Sequence, residues 1–121
     1  MTATCIVPTI FISDIAKALA YYRDVFGFTL EFEWGDPVFY AGMTHGGAAI
    51  HLNASAEAAD RRGKGALYLV VTGDIQALYE GIMARGGTLI GKPPQRYAYG
   101  MIDFKCADPD GNWVSFGKDA T

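Results

Sequence analysis

The chain has 121 residues, of which 50% are apolar and 19% are charged, and its formal net charge is −3 with a sequence pI of about 5.2. This length supports one domain with a single hydrophobic core. The acidic balance would repel a phosphate backbone, and no apolar run reaches the roughly 18 residues of a membrane span. We therefore expect neither a nucleic-acid partner nor a membrane partner.

The first strand is predicted at residues 5–12, within the N-terminal sequence MTATCIVPTIF. This segment has no basic region ahead of its apolar stretch, so it differs from a secretory signal and predicts a cytoplasmic location. Cys5 lies in this predicted strand and Cys106 in a later one, without the spacing of a disulfide or a metal pair. We expect both thiols to pack as small apolar groups.

An imperfect internal repeat sets the order of the next elements. Residues 7–30 and 67–89 each contain an apolar strand, an Asp-Ile helix start, a helix, a glycine and a Thr-Leu strand start. Asp14 and Asp74 are placed to accept hydrogen bonds from the free N–H groups of a first helical turn, with Ser13 an alternative cap in the first copy. A glycine follows each helix and predicts its end.

The repeat predicts two βαβββ modules, over about residues 1–53 and 66–121, joined by a polar linker over about residues 54–65. The fold class is therefore α+β, with one mixed sheet in each module. The predicted helices cover residues 14–26 and 74–85. The predicted strands cover residues 5–12, 28–34, 37–42, 48–53, 66–72, 88–93, 100–106 and 112–117.

The last two strands are joined by the sequence DPDG at residues 108–111. Proline at the second turn position fixes φ and glycine at the fourth tolerates the exit geometry, so this segment predicts a hairpin. Strand side chains alternate between faces, which directs Val114 and Phe116 to the core and Trp113 and Ser115 to the opposite side. We predict that this opposite side is the wall of a ligand cavity.

The paired modules and three motifs resemble the glyoxalase/bleomycin-resistance/extradiol-dioxygenase superfamily. The motifs are ISDIAKALAYYRDVFGF, GAAIHL and YGMIDFKCADPDGNWVSFG, of which the last is most similar to the bleomycin-resistance branch. The resemblance implies modules related by a pseudo-twofold axis, with curled sheets that form a U-shaped cleft. It also implies a homodimer in which both subunits complete each cleft. It implies no single activity, because one fold hosts many functions.

In enzymatic members of this superfamily, the resemblance implies a divalent metal held by the first and last strands of each module. The matching positions here are Val7, His51, Leu67 and Ser115, which are expected to converge in the cleft. A catalytic metal needs about three protein ligands, and valine and leucine have no donor atom. We therefore expect no metal and no other cofactor.

Aromatic and polar side chains on the cleft side form the predicted site for a small-molecule ligand. Flat aromatic faces suit planar or cationic ligands. Trp113 is expected to stack on the ligand with His51 opposite as a polar contact, and Asp103 to pair with a cation. The predicted ligand-binding residues are Trp113, His51, Trp34, Phe39, Tyr99, Asp103 and Ser115.

The sequence leaves three functions open. The favoured one is a metal-free protein that sequesters a planar or cationic compound, as bleomycin-resistance relatives do with their antibiotic. The second is a superfamily-type lyase, isomerase or dioxygenase acting on a small metabolite, either through unforeseen metal ligands or with His51 or Asp103 as a base. The third is a domain whose cleft is vestigial and which associates through an exposed face.

Overall fold

Each half of the chain folds into one four-stranded sheet with one helix, in a computed structural model that describes residues 1–121. The first half contains β1 (Thr9–Phe11), α1 (Ile15–Asp24), β2 (Thr29–Gly35), β3 (Val38–His45) and β4 (Ala48–Asn53). The second half contains β5 (Ala66–Val70), α2 (Ile75–Ala84), β6 (Thr88–Arg96), β7 (Met101–Ala107) and β8 (Trp113–Asp119). A 3₁₀ helix, Ala56–Arg61, lies between them. All eight predicted strands and both predicted helices are confirmed.

The two sheets have the same topology, which confirms the predicted pair of βαβββ modules. Their strand orders are β1-β4-β3-β2 and β5-β8-β7-β6. The first strand of each module pairs in parallel with the last strand, and the other pairs are antiparallel. The fold is therefore α+β with two mixed sheets. Neither ten-residue helix has the length or the hydropathy to cross a membrane.

The helix boundaries follow the predicted capping residues. Asp14 Oδ1 accepts from the backbone N–H of Lys17 at 3.1 Å, and Asp74 Oδ1 accepts from that of Ala77 at 3.0 Å. The glycine after each helix adopts a positive φ, which favours glycine over residues with a side chain. Local sequence rules therefore account for both helices.

The N-terminal strand is shorter than predicted, because it begins at Thr9 rather than at residue 5. Cys5 lies outside it and is exposed, so the prediction of a packed thiol is wrong at this position. Cys106 is buried in β7 as expected, and burial raises the pKa of its thiol to about 11. Pairing of β1 with β4 covers Thr9–Phe11, and the Pro8 carbonyl also accepts from the N–H of His51, so residues 1–7 lie before the sheet.

Both sheets contribute to one hydrophobic core. Alternate residues of β4 and β8 are buried in it, including Leu52 and Phe116. Phe26, just after α1, packs against Phe116 with 5.8 Å between ring centroids, and Arg85 donates to the carbonyl oxygen of Val25 across the two helix ends. Because the sheets share this core on one side, each sheet has its other face turned outward.

The two end residues of the loop between β7 and β8 are buried, although the sequence predicted only a hairpin turn there. Asp108 is 5% exposed and Asn112 is fully buried. Asp108 Oδ1 accepts from the backbone N–H groups of Asp110 and Asn112, and its Oδ2 accepts from the Asn112 side chain at 2.9 Å. The two side chains thus hold the loop in one conformation.

The same loop also connects the two modules. The Asn112 side chain accepts from the N–H of Gly65 at 2.8 Å and donates to the carbonyl oxygen of Phe11 at 3.0 Å. The Tyr22 hydroxyl of α1 donates to Asp108 Oδ2 at 2.8 Å. Burial and the neighbouring Asp108 raise the pKa of Tyr22. These bonds fix β8 relative to β1 and α1.

We expect Asn112→Ala to lower the free energy of unfolding by about 2–4 kcal/mol, because it leaves buried donors and acceptors without partners. Chemical denaturation would measure the change. Gln76→Ala, at an exposed position of α2, is the control and should change stability by less than about 0.5 kcal/mol. Equal stability of the two variants would contradict the bridging role of Asn112.

Candidate functional site

The outward faces of the two sheets hold all of the predicted site residues. We call the outward side of β2, β3 and β4 the first face. It carries Phe32, Trp34, Tyr40, His51 and Asn53, with Phe39 beside them. We call the outward side of β5, β7 and β8 the second face. It carries Tyr68, Asp103, Lys105, Trp113 and Ser115, with Tyr97 and Tyr99 beside them.

Three rings contact one another at the centre of the first face. The Tyr40 hydroxyl lies 2.7 Å from Nδ1 of His51. Phe32 meets the His51 ring edge-on, with 5.2 Å between centroids, and stacks near Tyr40 at 6.4 Å. This packing fixes the orientation of the imidazole before any ligand is present.

An open aromatic groove of about 430 Å³ adjoins these rings. Its only charged residue is Glu57. Trp34 is 68% exposed, so most of its ring is available to a ligand. The groove is lined by Phe32, Trp34, Phe39, Tyr40, Asn53, Ser55 and Glu57. Exposed aromatic rings beside a single carboxylate suit a planar compound that is neutral or cationic.

The centre of the second face is a carboxylate with two phenol donors. The hydroxyls of Tyr68 and Tyr99 both donate to Asp103 Oδ2, at 2.9 and 2.6 Å. The hydrogen bond to Asp103 raises the pKa of Tyr99 to about 12. Burial, followed by the hydrogen bond to Asp103, raises the pKa of Tyr68. Asp103 Oδ1 makes no hydrogen bond within the chain, so it can accept one from a ligand.

A cavity of about 400 Å³ surrounds this carboxylate, and Lys92, Lys105 and Ser115 also line it. Tyr97 and Tyr99 stack at its rim with 5.3 Å between centroids and 4° between planes. The cavity therefore contains two positively charged hydrogen-bond donors, Lys92 and Lys105, and one negatively charged acceptor, Asp103. It is more polar than the groove on the first face.

Trp113 is 49% exposed, whereas Val114 and Phe116 are fully buried, so the predicted alternation of β8 is confirmed. Lys105 Nζ lies 3.9 Å from the centroid of the Trp113 ring, in a cation–π contact. One face of the indole is therefore already covered by the chain itself. Ring stacking on a ligand would use the other face.

A glycine on each face lets an aromatic side chain lie across the neighbouring strand. A Cβ atom at Gly42 would lie 2.1 Å from the Phe32 ring, and one at Gly117 would lie 2.0 Å from the Tyr68 hydroxyl oxygen. Phe32 and Tyr68 were both missed as site residues by the sequence analysis. Strand alternation places Leu67 and Tyr68 on opposite sides of β5, but which of them faces outward depends on the pairing of β5 with β8.

The predicted site residues do not form one cavity within the chain. Trp34, Phe39 and His51 belong to the first face, whereas Tyr99, Asp103, Trp113 and Ser115 belong to the second. The groove on the first face is lined by the first module together with Ser55 and Glu57 of the following segment, and the cavity on the second face by the second module alone.

The expected position of Leu67 is also wrong. It pairs with Val114 and packs against the core, and Tyr68 is the residue of β5 beside Ser115 on the outward face.

The donor set does not fit the metal centre that the resemblance implies. No group of three or more His, Cys, Asp or Glu side chains is arranged to hold an ion. Among the four corresponding positions, only His51 is a good ligand, and its Nδ1 is already bonded to Tyr40. The tyrosine that replaces Leu67 on the outward face is bonded to Asp103 instead. We derive no metal-dependent step for these residues.

Comparison with known proteins gives one family and several similar structures. The family model for the Glyoxalase/Bleomycin resistance protein/Dioxygenase superfamily matches residues 5–116. TnmS3, an antibiotic binding protein from Streptomyces sp. CB03234, has a TM-score of 0.80 at 23% identity, with 98% of each chain covered. TioX from Micromonospora sp. ML1 has a TM-score of 0.82 at 18% identity, with 96% of this chain and 99% of that chain covered.

A superfamily member from Sphaerobacter thermophilus DSM 20745 has a TM-score of 0.78 at 26% identity, with 97% of this chain and 98% of that chain covered. No curated protein matches the sequence. The similarity to these solved structures extends over nearly the whole chain and establishes the fold.

We expect Asp103→Asn to lower the pKa of Tyr99 from about 12 toward the ordinary tyrosine value of roughly 10. A phenolate beside a carboxylate is repelled, so the hydrogen bond is present at neutral pH and is lost as the pH rises through about 12. Ultraviolet absorbance of phenolate would follow the titration. Asp119→Asn, at an exposed aspartate without a tyrosine partner, should leave it unchanged.

Proposed function

The chain belongs to the glyoxalase/bleomycin resistance protein/dioxygenase superfamily, and we propose that it binds and sequesters a planar, neutral or cationic small molecule without using a metal. The observation that carries this proposal is the aromatic groove of the first face. Its rings are exposed in an otherwise folded chain, its only charge is the carboxylate of Glu57, and no set of metal ligands lies beside it. The groove is open, which disfavours a vestigial, side-chain-filled cleft.

Stacking would supply most of the binding energy. Trp34 and Phe39 present apolar area that a flat ligand would remove from water, at about 25 cal/mol for each Å². Trp34 and Phe39 each have only two side-chain torsions, so ordering them on binding costs little conformational entropy. Asn53 and Ser55 offer hydrogen bonds at the margin of the groove. This combination favours tight binding of planar compounds over flexible ones.

The second face would provide the polar contacts of the site. Asp103 Oδ1 would accept a hydrogen bond from an N–H, ammonium or hydroxyl group of the ligand. Trp113 would stack through the ring face that Lys105 leaves open, and Ser115 and Tyr99 would bond to the edge of the ligand. TnmS3, which has the same fold, is an antibiotic binding protein, and this supports a binding role.

The proposed working unit is a homodimer in the cytoplasm. Each chain has large exposed hydrophobic side chains, including Ile6 and Val70, and the outer edges of β1 and β5 are unpaired within the chain. Exposed edges and apolar patches of this kind are commonly covered by a symmetric partner. In this dimer the first face of one protomer would oppose the second face of the other. His51 and Trp113 would then meet across a shared cleft.

We expect planar aromatic compounds to raise the melting temperature in a thermal-shift screen, with the same shift in a chelator and in added divalent metal. Trp34→Ala should weaken binding of any compound found by about 1–3 kcal/mol. The free energy of unfolding of the Trp34→Ala variant should differ little from that of the unchanged protein, because the Trp34 side chain is exposed. Gln76→Ala is the control for both quantities. A stabilising shift that requires the metal would contradict the proposal.

We expect sedimentation equilibrium at micromolar concentration to give twice the chain mass of 13.1 kDa. Dilution should convert the dimer to monomer in one step, since a twofold interface closes with two copies. A monomer mass at every micromolar concentration tested would rule out the shared cleft. Ligand binding by each face of the single chain would then be a separate question.

A further inference from the structure

We propose that Tyr40 holds His51 in the tautomer with its proton on Nε2, so that this ring presents a neutral hydrogen-bond donor in a fixed position and selects planar ligands with a carbonyl oxygen. The inference rests on the proposed function, because it specifies which compounds the aromatic groove would bind. It follows from the direction of one hydrogen bond, from the packing around it and from the charges beside it.

The short contact between Tyr40 and His51 has a preferred direction. In neutral imidazole one ring nitrogen carries a proton and the other accepts one. A phenol is a good donor, and the Tyr40 hydroxyl makes no other hydrogen bond within the chain. The Tyr40 O–H therefore donates to Nδ1 of His51 across 2.7 Å. The ring proton is then left on Nε2.

The packing keeps the Nε2–H group in one place. Phe32 lies edge-on against the imidazole at 5.2 Å between centroids, and it reaches this position because Gly42 has no side chain. Tyr40 contacts the same ring at 5.2 Å. Nε2 has no hydrogen-bond partner in the chain, and it is not enclosed by protein atoms. A preoriented, unpaired donor thus lies next to Phe32 and Tyr40. These two residues line the aromatic groove, and His51 lies just outside its lining.

The charges around the groove narrow the kind of acceptor that this donor would meet. Within one chain no lysine or arginine lines the groove, and Glu57 would repel an anionic group placed there. In the proposed dimer, Lys92 and Lys105 of the second face would lie on the opposite side of the ligand from His51. A carboxylate or phosphate is therefore disfavoured as the acceptor. A carbonyl conjugated to a planar ring is neutral and lies in the ring plane. A ligand that stacked in the groove and extended past Phe32 and Tyr40 would meet Nε2–H with this oxygen. The geometry thus selects ring ketones and related planar carbonyl compounds.

The tautomer can be tested without a ligand, by long-range nitrogen–proton correlation spectra of the full chain at about pH 8.5, where ordinary imidazole is neutral. We expect the His51 signals to show the Nε2–H form, and Tyr40→Phe to shift them toward a mixture of tautomers. His45, the only other histidine, is an internal reference that should not change. Tyr79→Phe, which also removes one hydroxyl, is the matched control variant. A predominant Nδ1–H form would overturn the inference and leave the binding proposal standing.

Ligand selection can be tested with fluorenone and fluorene, planar tricycles that differ by a carbonyl oxygen. Binding would be followed by the shift of the Trp34 indole N–H signal. We expect fluorenone to bind about three- to tenfold tighter, as one neutral hydrogen bond implies. His51→Phe should abolish this preference while retaining an aromatic ring, and Tyr79→Phe should preserve it.

The three remaining results have separate meanings. Equal affinity for the two probes would overturn carbonyl selection, even if the Nε2–H tautomer is found. A preference for fluorenone that persists in His51→Phe would assign the donor to another residue and would also overturn the inference. Absence of binding by both probes would contradict stacking in this groove, and with it the proposed function of the first face.

Discussion

The arrangement of the two modules depends on the hydrogen bonds of two buried side chains, Asp108 and Asn112, at the ends of the β7–β8 loop. Polar groups removed from water must find partners, and Asn112 satisfies backbone groups of Phe11 and Gly65, which belong to other parts of the chain. Asp108 meanwhile receives the Tyr22 hydroxyl of α1. The final strand therefore has one position relative to the first module. Its alternation can then place apolar side chains in the shared core and polar ones outside it.

The shared core has a consequence for function, because it turns the outer face of each sheet toward solvent. Both exposed faces contain the same local arrangement of a glycine and an aromatic side chain. A glycine on an inner strand, Gly42 or Gly117, opens space for an aromatic side chain from the next strand. In the first module this brings Phe32 to His51, and in the second it brings Tyr68 to its carboxylate partner. One topological repeat thus produces two preorganised but chemically different surfaces.

The difference between these surfaces lies in their polar groups. The first face has a histidine bonded to a tyrosine and a groove whose only charge is Glu57, whereas the second has Asp103 with Lys92 and Lys105 around it. A ligand that contacted both would meet stacking rings on one side and charged hydrogen-bonding groups on the other. Such a division of roles requires no catalytic group. It is consistent with recognition by shape and hydrogen bonding.

The sequence by itself determined the elements and much of their orientation. Capping by Asp14 and Asp74 acts within one helical turn, and the alternation that buries Val114 and exposes Trp113 acts within one strand, so both could be predicted from local rules. Only the tertiary structure decided that Tyr68, rather than Leu67, faces outward and that the predicted site residues divide between two faces. Those outcomes depend on strand register and on the burial of distant segments against one another, which are set by contacts between residues far apart in the chain.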